Sequence, residues 1–168
     1  MIFIRGNIWI LEDNIDTDVI LPGPYIPITD PIMLAAHALE GLDINFSQRV
    51  KPGDIIVAGR NFGCGSSREQ APVALKHAGV AAIVAESFAR IFYRNAMSIG
   101  LPVFTCPGIA LLANEQEEIE IALDTGEIRR ISTGQCLQAE RLPNFLLEII
   151  HAGGLVPHLK QKFSGGGI

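Results

Sequence analysis

The chain has 168 residues, with 13 Lys and Arg against 18 Asp and Glu, a formal net charge of −5 and 48% apolar residues. At that length a fold buries roughly 70% of the surface exposed by its unfolded chain, so neither disulfides nor a structural metal are needed to hold it. The acidic balance, with a pI near 5.3, lacks the basic footprint of a nucleic-acid-binding protein. Mean hydropathy is positive at +0.31, yet apolar stretches such as Gly79–Ala85 fall far short of the roughly 20 residues that span a bilayer. Met1 to Gly6 carries no charged n-region followed by an apolar h-region, which points to a cytoplasmic protein without a secretory signal.

Cys64, Cys106 and Cys136 are too few and too widely spaced for a disulfide framework or a CxxC-type zinc site. His37, His77, His151 and His158 form neither HxxxH nor HExxH, so each reads as an ordinary helix-surface or helix-end residue. No metal site is expected in this chain.

In chain order, Ile2, Ile4, Ile8 and Ile10 alternate with polar or small residues and predict an opening strand or hairpin. The acidic stretch Glu12–Asp18 lacks the ligand spacing and sixth-position Gly of an EF-hand. Leu21-Pro22-Gly23-Pro24 is a turn, and Thr29-Asp30-Pro31 starts a helix with a capping side chain before Pro; that helix is expected to run to about Gly41. After the Lys51–Asp54 turn, the pattern predicts a strand at Ile55–Ala58, a glycine-rich loop at Asn61–Gly65 and a helix ending near Gly79. It continues with a strand at Val80–Ala85, a helix at Phe88–Ile99 capped by Ser87, and a strand at Leu101–Thr105. This β-α-β-α-β order, closed by right-handed crossovers, gives a small parallel sheet covered by helices. Glu118–Leu123 and Glu127–Ile131 then flank the hairpin turn Asp124-Thr125-Gly126. A last helix, about Pro143–His151, breaks at Gly153-Gly154 and restarts briefly before a flexible tail from about residue 163. No internal repeat or linker divides the chain, so residues 1–168 read as one domain.

The stretch Asn61-Phe62-Gly63-Cys64-Gly65-Ser66-Ser67-Arg68-Glu69 follows a strand and precedes a helix, where unpaired N–H groups and the helix dipole favour an anion. It fails as a dinucleotide fingerprint because Arg68 stands where Gly is needed. It lacks the closing Gly-Lys-Ser/Thr of a phosphate loop, and neither serine is framed as GxSxG. What it offers is two hydroxyls and a guanidinium able to clamp a carboxylate bidentately. Two other readings remain open: a Ser66-x-x-Glu69 capping box with purely structural glycines, and an activated thiolate at Cys64.

Asp13-Asn14-Ile15-Asp16-Thr17-Asp18-Val19-Ile20 with Pro22–Tyr25, the Asn61–Glu69 loop, Ser87-Phe88-Ala89-Arg90-Ile91-Phe92-Tyr93-Arg94-Asn95 and Gly153-Gly154 together resemble the small subunits of 3-isopropylmalate dehydratase and archaeal-type homoaconitase. These correspond to the swivelling domain of aconitase. The resemblance runs in order over nearly the whole chain. It implies an α/β, three-layer β/β/α swivelling domain with a small parallel sheet plus antiparallel strands. It also implies a separate large subunit that carries a 4Fe-4S cluster and joins this chain in a heterodimer or heterotetramer. The implied reaction is a hydro-lyase one, moving a hydroxyl between neighbouring carbons of a malate-type acid through an enoate. In those terms Ser66 is the general base, Ser67 and Arg68 hold substrate carboxylate, and Asp18 is an active-site aspartate that orients Arg68 or hydrogen-bonds a serine; an Asp in an Asx-type turn is the structural alternative.

Within the resemblance, the loop Tyr25-Ile26-Pro27-Ile28 bears on substrate choice, with Pro27 where homoaconitase-like members carry an Arg for the extra carboxylate. An unpaired carboxylate is costly to bury, whereas an apolar branch gains about 0.8 kcal/mol per buried CH₂. The expectation is an isopropylmalate-type substrate, with dimethylmalate and homoaconitase-type substrates as alternatives. A non-catalytic carboxylate-binding module is the reading from another class, and loss of the serine–arginine loop would mark it. Ser66, Ser67 and Arg68 are all present.

Overall fold

The computed structural model describes residues 1–112, 114 and 117–164. Seven strands in the order β4-β3-β2-β1-β5-β6-β7 form one mixed sheet. The strands are β1 (Phe3–Ile10), β2 (Ile55–Ala58), β3 (Ala82–Ala85), β4 (Val103–Thr105), β5 (Glu118–Ala122), β6 (Glu127–Arg130) and β7 (Cys136–Gln138). The α-helices are α1 (Thr17–Ile20), α2 (Pro31–Ala35), α3 (Phe46–Arg49), α4 (Gln70–Ala78), α5 (Arg90–Ser98), α6 (Ile109–Leu112), α7 (Asn144–Ala152) and α8 (Leu155–Ser164).

The opening segment is a single strand, and it serves both halves of the sheet at once. Its first half pairs antiparallel with β5, from Phe3 opposite Ala122 to Asn7 opposite Glu118. Its second half pairs parallel with β2, Ile8 opposite Ile55 through Ile10 opposite Val57. On the parallel side, every residue of β2 and β3 is buried, as strands covered on both faces must be. The antiparallel side alternates instead: Ile119, Ile121 and Ile128 are buried, while the intervening positions are not. Ile55, Ile56, Val57, Ile83 and Val84 lie at the centre of the core, fully shielded. No helix is long and apolar enough to cross a membrane among the described residues.

The α/β reading and the parallel-plus-antiparallel sheet agree with the expectation, and several boundaries differ. The helix begun by Asp30, whose carboxylate accepts from the Ile32 amide at 2.9 Å, ends at Ala35 rather than Gly41. Leu39 adopts φ 52, and the amides of Leu39 and Gly41 donate to Ile20 and Val19 carbonyls. Tertiary bonds to α1 therefore replace the helical ones that the segment would have made. α5 starts at Arg90 with Ala89 as its cap; Ser87 does not cap it, because its Oγ accepts from the Asn61 amide at 2.8 Å. The brief restart after Gly154 is a ten-residue helix, α8, so residues 163 and 164 are helical. The remainder of the expected tail lies outside the described residues. α1, α3, α6 and β7 have no counterpart in the sequence pattern, each being three or four residues long and too short to show a period.

Candidate active site

The parallel strands end on one edge, and the segments leaving them there, 11–16, 59–69 and 86–89, are stitched into one surface. Isolated parallel bridges join Asp16 to Cys64 and Phe62 to Phe88. The Gly63 amide donates to the Ile15 carbonyl at 2.8 Å, and the Thr17 amide donates to the Cys64 carbonyl at 2.8 Å. Two glycines make this approach possible. At Gly63, φ is +81 and a Cβ would stand 2.2 Å from the Phe92 ring. At Gly65, φ is +94 and a Cβ would meet the Asp16 carboxylate at 2.9 Å. Both positions demand a left-handed backbone and an absent side chain.

The glycine loop delivers Ser66 and Ser67 as exposed residues, with Arg68 half-buried behind them. Helix α4 begins only at Gln70, with Glu69 as its cap and no side-chain cap bond. The Ser66-x-x-Glu69 capping box therefore does not form, since Ser66 lies four residues ahead of the first helical position. Its Oγ instead sits 3.4 Å from Thr17 Oγ1, and the Thr17 hydroxyl donates to the Ser66 carbonyl at 2.9 Å.

Arg68 is the best-fixed of the three. Its Nη1 donates to Asp18 Oδ1 at 2.6 Å and to the Leu21 carbonyl at 2.8 Å, which occupies both Nη1 hydrogens. The Arg68 side chain is 17% exposed, against 64% for that of Asp18. Among the described residues neither Nε nor Nη2, the pair of donors that can hold a carboxylate bidentately, makes a hydrogen bond. Asp18 Oδ1 also accepts from the Gly23 amide at 3.2 Å. Asp18 therefore holds Arg68, and among the described residues it hydrogen-bonds no serine; nor does it form an Asx turn, because its amide partner is five residues on. The local Asx-type bond belongs to Asp16, which caps α1 by accepting from the Asp18 amide at 2.6 Å. The Arg68 hydrogen bond, together with the Gly23 amide, holds the Asp18 carboxyl below the usual carboxylate range.

At Cys64 burial first, and then the Asp16 carboxylate, push the thiol up, the direction opposite to activation. In the loop after the Pro-Gly turn, Tyr25 and Ile28 pack against the core while Pro27 is exposed. Ile26, like Tyr25 and Ile28, is partly buried. Sequence reasoning missed Thr17, buried to 2% exposure, which ties the acidic loop to Ser66. Its signal was present, in the small hydroxyl residue framed by two aspartates.

Concavities around Trp9 and Phe46, and between α7 and α8, contain none of these residues. Ser66 and Ser67 lie exposed on the surface. Among the described residues no three His, Cys, Asp or Glu side chains converge as metal ligands, and the three cysteines sit on separate segments.

Comparison with known proteins gives one consistent family. Residues 33–106 match the aconitase C-terminal domain. The chain is 53% identical over 161 residues to the isopropylmalate/citramalate isomerase small subunit of Methanocaldococcus jannaschii, covering 96% of each. It is 51% identical over 163 residues to the methanogen homoaconitase small subunit of Methanothermobacter thermautotrophicus, covering 97% of this chain and 94% of that one. A crystal structure of 3-isopropylmalate dehydratase from Methanocaldococcus jannaschii superimposes with a TM-score of 0.91 at 44% identity, covering 99% of this chain and all of the other. With sheet, site loops and near-full-length identity in agreement, the chain belongs to the family of small subunits of 3-isopropylmalate dehydratase and related aconitase-type enzymes.

Proposed function

We propose that this chain is the small subunit of a cytoplasmic, two-subunit hydro-lyase that interconverts 2- and 3-isopropylmalate, or a close alkylmalate, by dehydration and rehydration. The observation that carries the reading is the pair of exposed hydroxyls beside an arginine already locked by Asp18 and Leu21, in a chain of this family. Ser66 Oγ takes the proton from the substrate carbon and returns it on rehydration. The free edge of Arg68 holds a carboxylate with the Ser67 hydroxyl beside it. A 4Fe-4S centre on the large subunit would supply the Lewis acid for the departing hydroxyl.

A serine hydroxyl is un-ionised by several pH units at neutrality, and each unit corresponds to about 1.36 kcal/mol. Among the described residues no charged group stands in hydrogen-bond range of Ser66 Oγ: its side-chain neighbour is the neutral Thr17 hydroxyl, and Arg68 is engaged with Asp18. Closure against the large subunit must provide the rest, and the isolated chain should be inert.

For substrate choice, Ile26 and exposed Pro27 present no cation to a third carboxylate, which favours an alkyl branch. The homoaconitase relative is nearly as similar overall as the isopropylmalate/citramalate one, so identity does not separate the substrates and the loop must. The test is the chain reconstituted with its large subunit and assayed against a panel of alkylmalates and carboxyalkylmalates. The wild type should favour alkyl substrates, and Pro27→Arg should move relative kcat/KM toward the carboxyalkyl ones by about tenfold to a hundredfold, the range of a charge-assisted hydrogen bond. A wild-type preference for a tricarboxylate, or an unchanged ratio in the variant, contradicts the assignment.

A further inference from the structure

We propose that His37 and Glu40 are positioning residues that hold Tyr25, and with it the 25–28 substrate loop, in fixed register with the Asp18–Arg68 clamp. The Tyr25 hydroxyl donates to Glu40 Oε1 at 2.7 Å. His37 Nδ1 meets the other Glu40 oxygen, and the His37 imidazole stacks on the Tyr25 ring with centroids 3.6 Å apart and planes 9° off parallel. Each of the three side chains thus touches the other two. Neither His37 nor Glu40 reaches the serine–arginine surface, so nothing in the chemistry described above accounts for them.

The protonation states follow from the geometry. Glu40 accepts a hydrogen bond from the Tyr25 hydroxyl at one oxygen, and that bond, seconded by His37, holds its carboxyl below the usual range. The same contact raises the Tyr25 phenol. Tyr25 is therefore a neutral donor and Glu40 an ionised acceptor, so His37 carries its hydrogen on Nδ1.

The backbone explains why this cluster governs more than its own loop. The turn that carries His37 and Glu40 is sewn to α1 by the Leu39 amide on the Ile20 carbonyl at 2.7 Å and the Gly41 amide on the Val19 carbonyl at 3.1 Å. α1 carries Asp18, and Leu21 just beyond it accepts from Arg68. On the other side, Gln70 Nε2 donates to the Ile26 carbonyl at 3.4 Å. The turn therefore has its backbone on the clamp helix and its side chains on the substrate loop. A change at Glu40 should be felt as a displaced Ile26–Pro27 rather than as a lost base.

The inference rests on the reading that Ile26 and Pro27 face the substrate's variable group, and the experiment separates the two. Glu40→Ala, Glu40→Gln and His37→Leu are made in the full chain. Amide hydrogen exchange is measured on the chain alone, and kinetics on the chain reconstituted with its large subunit. Glu40→Ala should speed exchange at the Ile26 and Ile28 amides, with β2 and β3 unchanged. It should also raise KM about tenfold with kcat within about threefold, and compress the ratio of alkyl to carboxyalkyl kcat/KM, the signature of lost positioning rather than lost chemistry. Glu40→Gln keeps an acceptor for the Tyr25 hydroxyl and should restore most of both properties, while His37→Leu should fall between them. If the wild-type pair turns over malates and Glu40→Ala keeps the wild-type KM and substrate ratio, the positioning role is wrong. If the wild-type pair is inactive on every malate, the functional reading fails instead, and the brace is then judged by exchange: unchanged protection at Ile26 and Ile28 in Glu40→Ala overturns it.

Discussion

The two halves of the sheet meet in β1 and are built on opposite principles. The parallel half buries both faces of its central strands, so β2 and β3 carry no polar side chains, and the candidate site lies on the segments leaving one edge. The antiparallel half buries one face and dresses the other with ion pairs, Arg5 with Glu118 at 2.7 Å and Arg129 with Glu120 at 2.5 Å. Such exposed pairs contribute about 0–1 kcal/mol each, so this half is held by its apolar face, chiefly Ile119, Ile121 and Ile128. The division teaches where to expect which kind of damage. Substitutions at the parallel edge should remove function while sparing stability, and substitutions in the antiparallel half should do the reverse.

The sharpest way to break this division is Ser66→Ala. Ser66 is exposed and caps no helix, so stability should change by no more than ~0.5 kcal/mol. Turnover of the reconstituted enzyme should fall by about three decades or more with KM little altered, because the group acts in the transition state. Near-normal kcat from a folded complex would exclude Ser66 as the base. The mirror experiment is Ile121→Ala, at a fully buried position paired with Ile4 and Ile128. It should cost about 2–5 kcal/mol in denaturant unfolding and leave kcat of the folded complex intact; a large kcat loss would show that the halves are not separable.

Arg68→Lys is a smaller perturbation of the active edge. A point charge cannot serve Asp18, Leu21 and a bidentate carboxylate together, so KM should rise about tenfold to a hundredfold while kcat changes less. The mildest test is acid titration. The Asp18 carboxyl is depressed in the folded protein, so its contribution to the clamp is fully present above the ordinary carboxylate pKa and is lost as pH falls through the lower folded value. KM should therefore be flat from neutrality down to the ordinary carboxylate pKa and rise only below it. A KM that climbs at pH values well above that point would assign the clamp's titration to another group.

The central strands were legible because fully apolar β-branched runs such as Ile55-Ile56-Val57 admit few other uses, and the β5–β6 hairpin because its alternation flanks Asp124-Thr125-Gly126. The serine–arginine loop was legible as a motif, and its geometry was not. Nothing local says that α4 starts at Gln70, or that Ser66 faces Thr17 across a gap of 49 positions. The 36–42 segment misled for a related reason. Its sequence suits a helix, but its amides are claimed by α1 carbonyls, a tertiary preference that overrides local propensity. His37 likewise read as an ordinary surface histidine because Tyr25, its stacking partner, lies twelve residues away across a turn.

The central claim is that this chain supplies a preassembled but incomplete half-site, and it is tested most directly by titrating the purified chain with its iron-loaded large subunit while following interconversion of 2- and 3-isopropylmalate. The account predicts no turnover and no iron–sulfur absorbance from this chain alone, with activity rising to a plateau as the partner is added. Turnover by the isolated chain, or a cluster bound to it stoichiometrically, would contradict it.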